Sequence, residues 1–230
     1  MFFSFNYYIY MLPALVLMMI AQWYVQSSYR KWSRVRNQRN ITGEEAVHRL
    51  IRAARLEEIP VESVRGNLTD HYDPRQKVMR LSAGVAQSPS VASLAIAAHE
   101  LGHAQQDQED YLPLRLRAAL VPMVNIGSYL GWIMILAGLF FNYTNLSWLG
   151  VIFFSGGALF ALATLPVELN ASARARQMLY DSGLVTDPDE ERGVRNVLNA
   201  AALTYIAALF QAVMQLLYFV TLISGGRRRN

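Results

Sequence analysis

Charge is absent from three long stretches of this chain. Residues 1–29, 118–167 and 196–226 contain no Asp, Glu, Lys or Arg, in runs of 29, 50 and 31 residues. All 38 charged side chains therefore fall in the other 120 positions, and the overall 17% charge averages two unlike populations. A stretch of about 20 apolar residues crosses a bilayer as a helix, and 50 leave room for two. A plain soluble enzyme, a disordered chain, and collagen-like or repeat arrays do not segregate charge this way. The expected fold class is mainly α and integral to the membrane, with about four apolar helices and a small charged α+β unit outside the bilayer.

The first span is expected over residues 8–25, the second over 119–141, the third over 146–165 and the fourth over 201–223. The polar turn Asn142-Tyr143-Thr144-Asn145 divides the 50-residue run. No Lys or Arg precedes the first apolar core, and Arg30, Lys31, Arg34, Arg36 and Arg39 follow it. That order suits a retained anchor with its N-terminus outside rather than a cleaved signal peptide. Lys and Arg number 14 in residues 27–117, none in 142–145 and four in 167–200, so the two larger polar segments are expected in the cytoplasm. Arg227-Arg228-Arg229 disagree with a fourth crossing, and a re-entrant last segment is the alternative. The expected divisions are 1–29 (anchor), 30–117 (cytoplasmic α+β segment), 118–167 (transmembrane hairpin), 168–200 (cytoplasmic segment) and 201–230 (apolar helix with basic tail). The basic balance is thus explained by membrane orientation, and no nucleic-acid partner is expected.

There is no cysteine, which excludes disulfides, thiolate metal sites and cysteine nucleophiles. Any metal must be held by carboxylates and the four histidines, His48, His71, His99 and His103.

In the cytoplasmic segment, Thr42 and Glu45 form a capping-box pattern ahead of a helix over residues 42–58. Strand patterns follow at 61–68 and 77–82, with a turn at 70–74. A second helix is expected from Ser88-Pro89 to about Gln108. Within it stands His99-Glu100-Leu101-Gly102-His103. Four-residue spacing puts both imidazoles on one helix face, where they can share one Zn²⁺. Glu100 is rotated about 100° away from His99 and can serve as the general base for an activated water. The bare pattern also fits an amphipathic helix with two polar histidines at its solvent edge. Half of the chain's histidines lie here, and the preceding residues are small and apolar, as in a buried active-site helix.

A catalytic zinc takes a third protein ligand and keeps one position open. Glu109 is too near His103 along the helix to reach back with ease. Glu168 ends the 50-residue uncharged run, so a transmembrane hairpin would return it to the same membrane face as His99. An interfacial carboxylate with no metal role is the alternative reading of that position, and the topology favours the ligand.

Several segments resemble the YugP-type neutral zinc metallopeptidases of bacterial membranes. They are Asn67 to Pro74, Arg80-Leu81-Ser82, Ala97 to Ala104, Pro113 to Arg117, Leu165 to Ser172 and Asn199 to Tyr205, in order along nearly the whole chain. The resemblance implies a multi-pass membrane protein with a zinc-dependent hydrolase site. A more distant similarity to HtpX- and Ste24-type peptidases implies a gluzincin-like set in which a Glu on a later helix, here Glu168, joins His99 and His103. Those relatives carry an orienting Asp four residues after that Glu. Here the position is Ser172, which leaves Asn170 or Asp107 to orient a ligand histidine.

His71 is either an oxyanion-stabilising group or part of a polar turn, and Tyr205 either an oxyanion donor or a packing aromatic. The strand at Val78–Ser82 is a candidate for pairing with an extended peptide. The reading at this level is a membrane-embedded zinc metalloendopeptidase with one Zn²⁺ ion. Its site would face the cytoplasm of a bacterial cell, its partners would be the lipid bilayer and a peptide or membrane-protein substrate, and its oligomeric state stays open. A non-catalytic scaffold keeping a structural zinc site is the alternative. A metal transporter would need ionisable groups inside the apolar runs, which contain none.

Overall fold

The computed structural model describes residues 5–226. Seven helices and three strands follow in the order α1 (Phe5–Trp32), α2 (Gly43–Ala54), β1 (Val61–Val64), β2 (His71–Asp73), β3 (Val78–Ser82), α3 (Ala83–Ala86), α4 (Val91–Gln108), α5 (Leu112–Phe140), α6 (Thr144–Asp181) and α7 (Pro188–Gly226). The chain divides into two compact units. One comprises residues up to Ala21, Arg115–Pro166 and Thr204 onward, and the other Gln22–Leu114 with Val167–Leu203.

The first unit is apolar helix packed on helix. α1, α5, α6 and α7 are each long and apolar enough to cross a membrane. α5 and α6 approach at glycines: a Cβ on Gly131 would lie 2.8 Å from the Gly150 carbonyl oxygen, and one on Gly150 would lie 2.8 Å from that of Gly131. Small residues let helices close in this way where lipid provides no hydrophobic drive. Edge-to-face contacts of Trp132, Phe154 and Phe219 tie α5, α6 and α7 together. The basic tail from Arg227 lies outside the described residues.

The second unit is α+β. The capping box forms as the sequence predicts: the Thr42 side chain accepts from the Glu45 amide, and Glu45 returns the bond to Thr42 N–H. The strands differ in detail from expectation. β1 stops at Val64, and Gly66 with φ +112° and Leu68 with φ 56° carry the loop beyond it. Residues 71–73, expected as a turn, pair with β3 instead. The turn follows them, nucleated by Asp73 Oδ1 accepting from the amides of Arg75 and Gln76. The sheet order is β1-β3-β2, with β1 parallel and β2 antiparallel to β3. Val78–Ser82 is therefore the central strand, with both edges already paired. That removes it as a peptide-docking edge, and the edges are β1 and β2. α4 begins two residues later than expected, because Ser90, not Ser88, accepts from the Ser93 amide. Pro89 holds the residue before it away from helical geometry.

The core of this unit is built on α4. Its residues Val91 to Ala98 are almost wholly buried among Val47, Leu50, Ile51, Leu81, Leu179 and Val194. A helix buried all round suits the run of alanines, which lets neighbouring backbones come close.

Candidate metal centre

Two helix faces meet at the site. His99, Gly102, His103 and Gln106 share one face of α4, and Glu168, Ala171, Ser172 and Ala175 share one face of α6, both at helical spacing. Gly102 sets the separation: a Cβ there would sit 2.6 Å from the Ala171 carbonyl oxygen. No other residue type permits that approach, and it carries Glu168 to the two histidines.

His99 Nε2 lies 3.3 Å, and His103 Nε2 3.4 Å, from the same Glu168 Oε2. The two imidazole rings are nearly perpendicular, 84°, with centroids 4.8 Å apart. One ligand atom from each residue falls within 4.8 Å of the others, and among the described residues this is the group of three or more potential donors so arranged. Ligand atoms about 2 Å from a tetrahedral ion stand about 3.3 Å from one another, so the donor set fits Zn²⁺. Glu168 is buried at 2% exposure, while His99 and His103 keep 12% and 13%, so the cluster is reached from the histidine side.

The outer nitrogens of both rings are engaged. His99 Nδ1 meets Ser172 Oγ at 3.2 Å, and His103 Nδ1 meets Gln106 Oε1 at 3.1 Å. Gln106 Nε2 donates to the Val167 carbonyl at 2.8 Å and to Asn170 Oδ1 at 2.9 Å. Glu100, also buried, accepts from the Tyr72 main-chain N–H at 3.0 Å. That amide belongs to the edge of β2 facing away from β3, so the sheet delivers a donor to the carboxylate. Burial pushes the Glu100 carboxyl above its ordinary range, opposed by His99 and His103. Burial is also the largest influence on His103 and acts downward, but Glu168, Glu100 and Gln106 together outweigh it and raise the imidazole.

The remaining sequence candidates are placed as follows. Asp107 does not touch a histidine; it accepts from the Tyr72 hydroxyl at 3.0 Å. Asn170 reaches His103 only through Gln106. His71 is exposed at the start of β2, its Nδ1 2.8 Å from the Thr69 carbonyl. Tyr205 lies on α7 in the apolar unit. Ser172, passed over because it is not an Asp, is the group that meets His99. Gln106 and Tyr72 were not foreseen; for Gln106, its position three residues after His103 on the same helix face was the available signal.

Comparison with known proteins agrees with this chemistry. Residues 7–224 match the family described as "Putative neutral zinc metallopeptidase". The chain is 43% identical over 219 residues to the "Putative membrane protease YugP" of Bacillus subtilis (strain 168), covering 95% of this chain and 97% of that protein. No solved structure matches. With a match over nearly its full length and a similar relative of the same extent, the chain belongs to the family of that description.

Proposed function

We propose that this chain is a membrane-embedded zinc-dependent endopeptidase in which His99, His103 and Glu168 hold one zinc ion and Glu100 is the general base. The observation that carries the proposal is the convergence of both Nε2 atoms on Glu168 Oε2, with the buried Glu100 carboxylate on the same helix. A zinc ion held there supplies Lewis-acid polarisation of the scissile carbonyl and makes water nucleophilic near neutral pH. Glu100 accepts the proton of the attacking water and passes it to the departing amine nitrogen. The Tyr72 amide holds one of the Glu100 oxygens in place. Ser172 and Gln106 keep the two imidazoles turned with Nε2 inward.

The distribution of Lys and Arg supports a multi-pass arrangement in a bacterial cell membrane, with the metal-site unit on the cytoplasmic side. A site there would act on peptides or on membrane-proximal segments of proteins.

The test compares wild type with Glu100→Gln, both purified in detergent, for zinc content and cleavage of an unstructured protein. Equal zinc in both and a 10²–10⁴-fold loss of cleavage in the variant is expected, roughly the contribution of a positioned general base. Equal cleavage by both proteins, or none by wild type loaded with zinc, rejects the proposal. Retention of full zinc by Glu168→Ala removes that residue from the ligand set.

A further inference from the structure

Gln106 is fully buried, yet every polar atom of its amide has a partner. We infer that Gln106 is a positioning residue that fixes His103 as the tautomer protonated at Nδ1, and that Val167, Asn170 and Arg174 dictate this through the orientation of its amide. The inference rests on the metal-site reading above.

Arg174 can only donate, and its Nε lies 2.7 Å from Asn170 Oδ1, so the Asn170 oxygen must face it. Arg174 is itself held by Glu109 Oε2 at 2.7 Å. Asn170 Oδ1 and the Val167 carbonyl, which can only accept, both face the same Gln106 atom. That atom must be the Gln106 nitrogen. Turning the amide over would set two acceptor oxygens against its own oxygen in a buried place, with no proton between them. The Gln106 oxygen therefore points to His103 Nδ1 and accepts, so Nδ1 carries the proton. The lone pair is left on Nε2, the nitrogen that faces Glu168.

The same amide clamps two helices. It bonds the carbonyl directly before Glu168, so the ligand carboxylate and the ligand imidazole are referenced to one side chain. An amide does this without adding negative charge, unlike a carboxylate partner. Together with Ser172 at His99, it makes both orienting groups of the site neutral.

Two measurements test this on the full-length protein in detergent, loaded with zinc alone. In ¹⁵N-histidine-labelled wild type, with only four histidines to assign, His103 should show a protonated Nδ1 and metal at Nε2. Metal at Nδ1, or a proton on Nε2, overturns the inference, and this reading needs no variant to fold. Gln106→Leu, apolar and unable to accept from Nδ1, should lower zinc affinity about 10–100-fold in chelator competition, the usual cost of losing such a partner. Arg174→Met should cost less than a third as much in fold-change, because the Val167 carbonyl still orients the amide. Unchanged zinc affinity and unchanged ring-nitrogen shifts in Gln106→Leu overturn the inference. Neither measurement uses a substrate. A wild type that binds zinc through His103 Nε2 but cleaves nothing upholds this inference and rejects the peptidase proposal. One that cleaves with His103 bound through Nδ1 does the reverse.

Discussion

Tyr72 joins the β-sheet to α4 twice: its amide donates to Glu100, and its hydroxyl to Asp107 seven residues further along that helix. The phenol is half-buried, and burial followed by the Asp107 hydrogen bond raises its pKa. The sign of the resulting pH effect is fixed. A phenol with a higher pKa in the folded state stabilises the fold below its unfolded value of 10.0. That contribution is lost as pH rises through the folded value. Tyr72→Phe should therefore be less stable than wild type at neutral pH by about 1 kcal/mol, typical of one hydrogen bond. The gap should narrow as pH climbs past about 10. Denaturant melts at pH 7.5 and 10.5 measure it, and a gap that widens at alkaline pH would contradict the assignment. At this scale the sequence points to the candidate site residues but not to their partners. His99, Glu100 and His103 form a short-range pattern. Their contacts to Ser172, Gln106 and the Tyr72 amide depend on side-chain directions that spacing does not specify. Ser172 shows the difficulty: by type it looked like a lost carboxylate, and only the antiparallel facing of α4 and α6 shows that its hydroxyl reaches His99.

Among the elements, the crossing of α4 and α6 is the one on which the site depends. Gly102 lies against the Ala171 backbone with no space for a methyl group. Gly102→Ala should push the helices apart and cost about 1–3 kcal/mol, as overpacking does. It should also weaken zinc binding, since Glu168 moves with α6. A thermal melt with and without zinc reads both effects, and a variant with wild-type zinc affinity would show that the crossing tolerates the displacement. A second helix offers a contrast. Thr42→Ala removes one arm of the capping box and should cost about 1 kcal/mol with no change in zinc content. That box was legible because its four residues are contiguous. The short strand β2 was not, since three residues with turn chemistry at their end carry little local preference for extended pairing, and β3 supplies the partner.

For the whole molecule, charge segregation makes predictions about topology that the absence of cysteine renders easy to test. Single cysteines placed at Tyr143 and at Asp110, with a membrane-impermeant thiol reagent on intact cells, should react at the first position and be protected at the second. Equal labelling at both would reject the cytoplasmic assignment of the metal site. The four long apolar helices agree with the four expected spans in number and order, although three of them run well beyond the apolar stretch. Glu168 illustrates this: α6 continues unbroken from the apolar stretch through Pro166 to Asp181, so the carboxylate is part of a long helix rather than of a following segment.

By itself the sequence determined what depends on composition and short spacing. Apolar length dictates helices that can cross a bilayer, because an unpaired backbone is too costly there. The four-residue interval in His99–His103 dictates two imidazoles on one face of α4. The tertiary structure alone decided what depends on contacts between distant segments. These are the meeting of Glu168 with both histidines 69 and 65 positions earlier in the chain, and the neutral groups that orient each ring. They also include the place of β3 at the centre of its sheet. The physical reason is that a helix specifies its own faces, whereas which face meets which is settled by packing, here by the one glycine that lets two backbones touch.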